Sequence, residues 1–249
     1  MDIGLLARAP VGLFVTGEDG RCTFVTYRLC EIVGKPAAAL RGQHWKTAFT
    51  GHDIEIIEDR FGCVGVLSEP AVIDLTTSSE RDELTGALSR AALFAHLGKR
   101  LGEAAEGVGP ATIGVLVCDL DGFSDVNQLL GTAAGDELLV AVAGCLRGTV
   151  RSCDKVGRLE RDEFVVVTEQ EGDANAVELV ADRVLDLLDR PFRLHGSSVQ
   201  VTGSIGVVVG DGTKTGDQLL GRAAVAVAEA RAAGGGCWRR GDGLRLLRS

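Results

Sequence analysis

Two apolar runs that end in carboxylates constrain this chain most. Val115 to Asp121 reads V-L-V-C-D-L-D, an apolar strand closed by two aspartates. Val156 to Thr168 reads V-G-R-L-E-R-D-E-F-V-V-V-T, two β-prone runs around a charged tip, the pattern of a β-hairpin. The tip carries three acids, Glu160, Asp162 and Glu163, together with Arg158 and Arg161. A charged hairpin tip is ordinarily just solvated. Adjacent strands that both end in carboxylates, however, bring oxygen ligands within a few Å of each other, as a hard divalent cation requires.

Composition narrows the class. The 249 residues carry 45% apolar and 24% charged side chains, which is globular material long enough for one large or two small domains. A net charge of −9 argues against a protein that grips a nucleic-acid backbone. Seven cysteines (Cys22, Cys30, Cys63, Cys118, Cys145, Cys153, Cys237) are scattered without a C-x-x-C, so free thiols are expected rather than disulfides or zinc ligands. With no leader pattern and no run of 18 apolar residues, a soluble cytoplasmic protein without membrane insertion is expected.

The periodicities predict an α/β (α+β) architecture. Residues 2–8 pattern as a short helix. Gly12–Thr16 and Arg21–Tyr27 pattern as a hairpin joined at Asp19-Gly20, with a helix over Arg28–Val33. Pro36–Phe49 has room for another short helix, and Phe61–Ser68 patterns as a strand that Val72–Thr76 extends. A helix follows over Leu84 to Leu101, with Ser79 or Asp82 as its N-cap, then the buried strand Thr112–Cys118. Further helices fall at Leu138–Leu146, Val177–Leu188 and Leu220–Ala230, the last stopped by Gly234-Gly235-Gly236, with a strand over Val199–Val209. Helices packed on a mainly antiparallel sheet satisfy this order.

The first third resembles a PAS sensor domain. The resemblance rests on Ala9-Pro10-Val11-Gly12-Leu13-Phe14, Asp19-Gly20-Arg21, Glu31-Ile32-Val33-Gly34 and Leu40-Arg41-Gly42-Gln43-His44-Trp45, with Thr26 where that family has Asn. The region is shorter than that fold after His52, so no haem or flavin is expected and His44 and His52 are taken as ordinary histidines. The resemblance implies a truncated PAS-like domain over 1–75, a linker over 76–82 and a second domain over 83–249. That linker is too short for the helical, coiled-coil-like connector usual between such domains.

From Asp82 to about Leu247 the chain resembles a GGDEF domain, the catalytic module of diguanylate cyclases. Asp82-Glu83-Leu84-Thr85-Gly86-Ala87-Leu88-Ser89-Arg90 is similar to that family's opening motif D-x-L-T-G-L-x-N-R. Asp119-Leu120-Asp121-Gly122-Phe123-Ser124-Asp125-Val126-Asn127, then Gly131 and Gly135-Asp136, is similar to D-x-D-x-F-K-x-x-N…G…G-D. Arg158-Leu159-Glu160-Arg161-Asp162-Glu163-Phe164 stands in the place of R-x-G-G-D-E-F, and Ser204-Ile205-Gly206-Val207 with Ala223–Gly235 in that of the closing strand and helix.

The resemblance implies a homodimer in which two facing domains join two GTP molecules into cyclic di-GMP with Mg2+ (or Mn2+). Asp119, Asp162 and the Leu120 carbonyl would hold the metal, with Glu163 beside them as a catalytic carboxylate. Gly122 and Phe123 would approach the phosphates, Asn127 and Asp136 would read guanine, and Arg231 would meet phosphate. Arg151-Ser152-Cys153-Asp154, nine residues before Glu160, has the spacing of the family's R-x-x-D inhibitory site for cyclic di-GMP. Arg183-Val184-Leu185-Asp186 matches the same four-residue pattern without that offset.

Three positions depart from the family pattern. Glu160 and Arg161 replace the signature glycines, which give a nucleotide room and tolerate positive φ. A carboxylate about 4 Å from a polyanion, at an effective dielectric near 20, costs up to ~4 kcal/mol. Micromolar binding is worth about 8 kcal/mol. Ser124 replaces a lysine and Gly235 an arginine, removing two phosphate-facing cations. An active cyclase, a silent domain that binds cyclic di-GMP or GTP, and a dimerising scaffold all remain open on the sequence.

Overall fold

The computed structural model describes residues 12–17, 19–50, 54–59, 62–67, 80–170, 176–241 and 245–247. The expected helix over 2–8, the strand extension at Val72–Thr76 and most of the 76–82 linker lie outside them.

The N-terminal part builds on a hairpin of β1 (Gly12–Thr16) and β2 (Cys22–Val25). Its turn is fixed by Gly20 at φ 71° and by the Asp19 carboxylate, which accepts a hydrogen bond from the Arg21 amide at 3.0 Å. Three short helices follow: α1 (Tyr27–Val33), α2 (Ala37–Leu40) and α3 (Trp45–Ala48). Thr26 caps α1 by accepting from the Leu29 amide at 3.2 Å, and His44 caps α3. Strands β3 (Ile54–Asp59) and β4 (Gly62–Leu67) return to the sheet, β4 pairing antiparallel with β1. A strand is expected at Phe61–Ser68, where β4 lies, but β3 is not legible in the sequence, because its hydrophobic residues Ile54, Ile56 and Ile57 are interrupted by acids.

The second sheet consists of β5 (Thr112–Asp121), β6 (Lys155–Glu160), β7 (Glu163–Gln170), β10 (Thr202–Gly210) and β11 (Trp238–Arg240). It carries the acidic motifs of the sequence, and its spatial order is β11-β10-β5-β7-β6. Strand β5 is central, as its unbroken apolar run requires, with β7 and β10 antiparallel on its two sides. Residues 192–199, expected in part as the start of a longer strand, instead form the separate hairpin β8 (Phe192–Leu194) and β9 (Ser197–Val199). Helices α4 (Arg90–Ala105), α5 (Phe123–Leu130), α6 (Thr132–Thr149), α7 (Ala176–Leu188) and α8 (Gly216–Ala232) cover the sheet. This is the expected α/β fold, a central mixed sheet flanked by helices.

Two expected caps move. Helix α4 starts at Ser89, whose hydroxyl accepts from the Ala92 amide, not at Ser79 or Asp82. Leu88 therefore precedes the helix and forms a bridge to Gly157 on the edge strand β6. Asp82 closes a turn instead: its carboxylate accepts from Thr85 Oγ1 at 2.7 Å and pairs with Arg158 at 3.1 Å. By contrast, α8 ends where the glycine run predicted, with Gly234, Gly235 and Gly236 at φ 110°, 75° and 60°.

The two sheets share one apolar core. Leu13, Val15, Phe24, Val64 and Val66 of the first pack in the same cluster as Leu93, Leu97, Val115, Leu159, Val165 and Ala224. The chain then returns, and β12 (Arg245–Leu247) pairs antiparallel with β3 at the outer edge of the N-terminal sheet. Among the described residues no helix is long and apolar enough to cross a membrane. Cys22, Cys30, Cys118, Cys145, Cys153 and Cys237 are free thiols, as expected.

Candidate functional site

The site forms where β5 and β7 end together. Their register sets Asp119 opposite Glu163, and β10 sets Ser204 opposite Asp119 on the other side. The Leu120 amide donates to the Asp162 carbonyl at 3.2 Å, tying the hairpin tip to the end of β5. Asp119, Asp162 and Glu163 are each buried, with exposures of 8%, 7% and 8%.

Side chains alternate along a strand, so Asp119 and Asp121 share a face. Both meet Arg231 from the last turn of α8, which bonds Asp119 and lies 3.7 Å from Asp121. Asp121 also accepts from Thr202 Oγ1 at 2.8 Å, Ser204 Oγ at 2.8 Å and the Gly236 amide at 3.0 Å. Its oxygens are thus committed to holding β10, the glycine run and Arg231 in place. In the sequence Asp121 stands out only as the second of two aspartates closing its strand, one of the oxygen groups expected at the strand ends. The i, i+2 spacing with Asp119 was the available signal.

Glu163 is the carboxyl under most strain. Burial, then the charges of Glu160 and Asp162, push its pKa up to about 8, with Arg90 pulling the other way. Its Oε2 is buried without a hydrogen-bond partner among the described residues. No three His, Cys, Asp or Glu side chains there converge closely enough to hold a metal ion by themselves. The oxygen set (two carboxylates, a main-chain carbonyl and an orphaned acid oxygen) still suits a hard divalent cation, which accepts main-chain ligands and relieves exactly such crowding of acids.

Around this centre, Gly122 (φ 74°) turns the chain into α5, and Phe123 is buried as its first residue. Asn127 packs on Gly135, where a Cβ would fall 2.0 Å from Asn127 Oδ1, so it stands beside the exposed Asp136 on α6. At the hairpin tip neither Glu160 nor Arg161 has positive φ. Neither position requires a glycine for its backbone conformation here, and the arguments from space and from charge remain. The turn is accommodated by a register shift between Arg158 and Glu160 instead. The Glu160 side chain is 46% exposed and pairs with Arg90 at 3.8 Å.

Arg151 and Asp154 lie at the opposite end of β6. Asp154 is buried, and its carboxylate accepts from the Arg151 amide at 2.9 Å and the Glu169 amide at 3.2 Å. Both residues line a cavity of about 450 Å³ with Gln170, Leu179, Asp182 and Arg183. Arg183, set aside on sequence spacing, reaches the same cavity from α7. Because Asp154 serves two main-chain donors, Asp154→Ala is expected to cost about 1–3 kcal/mol in denaturant unfolding. A carboxylate free to serve a ligand would cost little.

Comparison with known proteins places this arrangement. Residues 79–237 match the family model described as diguanylate cyclase, GGDEF domain. The diguanylate cyclase TpbB of Pseudomonas aeruginosa is 34% identical over 136 residues, 54% of this chain and 31% of that protein. The solved GGDEF domain of TpbB (YfiN) is 32% identical, with a TM-score of 0.60, and the match covers 65% of this chain and 94% of that one. A sensory box/GGDEF family protein from Caulobacter crescentus is 31% identical at a TM-score of 0.57, over 62% of this chain and 99% of that one. The first curated relatives are longer proteins, of which the chain spans 34% and 25%. Strand order, the paired strand ends and the family match agree, and the chain belongs to the GGDEF diguanylate cyclase domain family.

Proposed function

We propose that this chain is a cyclic di-GMP signalling protein of the diguanylate cyclase type, joining two GTP molecules into cyclic di-GMP in a homodimer. The observation that carries the reading is the pairing of Asp119 with Glu163 across β5 and β7, with Asp162 tied to Leu120 beside them. Asp119, Asp162 and the Leu120 carbonyl would hold Mg2+ (or Mn2+), whose chemistry is charge stabilisation of phosphoryl transfer. Asn127 and Asp136 bind the guanine edge, and the main chain at Gly122-Phe123 faces the phosphates. Arg231 supplies a cation next to Asp119. Glu163, whose pKa is raised in the metal-free protein by burial and by Glu160 and Asp162, stands beside them as the carboxyl that would hold or move a proton at Oε2.

The sheet over 12–67, with three short helices between β2 and β3, supports a PAS-like sensor domain within 1–75. A linker over 76–82 and the catalytic domain over 83–249 complete this organisation. A second reading, a receptor for cyclic di-GMP, is favoured by the cavity in which Arg151 and Arg183 supply two forked cations for a dianionic ligand.

Incubation with Mg2+ and GTP, followed by chromatography, tests the first reading. Cyclic di-GMP is expected, and is lost in Asp162→Ala. Absence of product from folded protein at saturating GTP rejects it. Calorimetry with cyclic di-GMP on wild type and on Arg151→Ala tests the second, which fails if neither gives heat.

A further inference from the structure

Helix α8 is buried all round, a property of helices enclosed between layers rather than lying on a surface. Of its residues, Leu219 to Ala228 and Ala230 are buried. One side lies on the catalytic sheet, where Gly206 of β10 meets the Ala223 main chain so closely that a Cβ would fall 1.9 Å from the Ala223 carbonyl oxygen. The other side lies under the N-terminal sheet. There Val66 of β4, fully buried, sits on Gly221, where a Cβ would fall 2.6 Å from Val66 Cγ1 and 2.8 Å from Cγ2. A glycine inside a helix costs about 1 kcal/mol relative to alanine. At Gly221 that cost is offset by the close approach of the strand.

The same helix carries Arg231 at its far end. Ten residues separate it from Gly221, about 15 Å along the axis at 1.5 Å per residue. Arg231 bonds Asp119 and flanks Asp121. A helix clamped on both sides moves as a body, so its axial position sets where that guanidinium falls.

We infer that Val66 is a positioning residue for the candidate site: seated on Gly221, it fixes the axial position of α8 and thereby the place at which Arg231 meets Asp119. The N-terminal sheet thus acts on the site through direct packing on α8. The positional statement stands on the contacts alone. Its effect on nucleotide binding rests on the reading of Asp119 and Arg231 given under Proposed function.

The test uses the full chain and the 15N resonance of the Arg231 Nε–H, assigned by its loss in Arg231→Lys. Val66→Ala opens space over α8 and Gly221→Ala overfills it. Each is expected to shift the Arg231 resonance and to weaken Mg2+–GTP binding about three- to tenfold by calorimetry. The Val66→Ala/Gly221→Ala pair, in which the new methyl occupies vacated space, is expected to recover most of both. Leu29→Ala, in the separate core of the N-terminal domain, is expected to lower stability without moving the resonance. The inference is overturned if neither single variant moves the Arg231 resonance. It is equally overturned if Leu29→Ala moves it as far, or if the pair is additive rather than compensating. If Val66→Ala does not fold, Gly221→Ala and the pair decide alone. A shifted resonance with unchanged GTP affinity upholds the positioning and rejects the assignment of Arg231 to nucleotide.

Discussion

Replacing Glu160 and Arg161 together with glycine is expected to tighten Mg2+–GTP binding about tenfold, with product formation rising in parallel. The unscreened repulsion of a carboxylate beside a polyanion is up to ~4 kcal/mol at about 4 Å. Glu160 is partly exposed and paired with Arg90 at 3.8 Å, so solvent and the guanidinium reduce the recoverable part to about 1–2 kcal/mol. Every 1.4 kcal/mol is a tenfold change in affinity. Stability should move the other way. Neither residue has positive φ, so glycine relieves no strain there and adds freedom to the unfolded chain, at about 0.5–1 kcal/mol per site. Calorimetry and thermal melting on the same double variant therefore read opposite signs. Unchanged or weaker GTP binding would show that the substituted glycines do not limit the site.

Stability in metal-free buffer is expected to fall as pH rises from about 4.5 to about 8, by a few kcal/mol in total. Glu163 has its pKa raised by burial and by Glu160 and Asp162, from an ordinary value of 4.5 to about 8. Between those values the native carboxyl holds a proton that the unfolded chain has released. The native state thus binds more protons, and the slope of stability against pH is negative. Below about 4.5 both states hold the proton, above about 8 neither does, and the dependence from this group vanishes. Glu163→Gln keeps the shape without the titration. Denaturant melts across that range should show the descent flattened in the variant, and an equally steep descent there would assign it to another group.

The second sheet was legible because its signals are local. The apolar run of β5 fits only a buried central strand, and the alternation on either side of Glu160–Glu163 fits only a hairpin. Gly234 to Gly236 can only end a helix. The short elements were not legible. β8, β9, β11 and β12 have three residues each, too few for a period to declare itself; β11 and β12 exist because longer strands offer them an edge, and β8 and β9 because they pair with each other. α5 was missed because Asp119 to Asn127 reads first as a motif, and its eight residues hold only two buried apolar side chains.

At the site, sequence spacing supplied Asp119, Asp162 and Glu163, and the fold brings them to one sheet end. It did not supply the partners. Arg90 reaches Glu160 from α4, Thr202 and Ser204 reach Asp121 from β10, and only the antiparallel register makes them neighbours. Spacing also did not show that the Asp154 carboxylate accepts from two main-chain amides, or that Arg183 reaches the Arg151 cavity from another element.

The pairing of β12 with β3 has a consequence for how the chain acquires its structure. Ile56 is matched to Leu247 and Glu58 to Arg245, partners separated by roughly 190 residues. Contacts so distant in sequence carry a large closure entropy and form late. As the polypeptide leaves the ribosome, the first sheet has an open flank until the entire cyclase-like portion has been synthesised. Unpaired strand edges invite association between chains. The vulnerable interval therefore spans the synthesis of everything between β3 and β12, and ends only when β12 arrives.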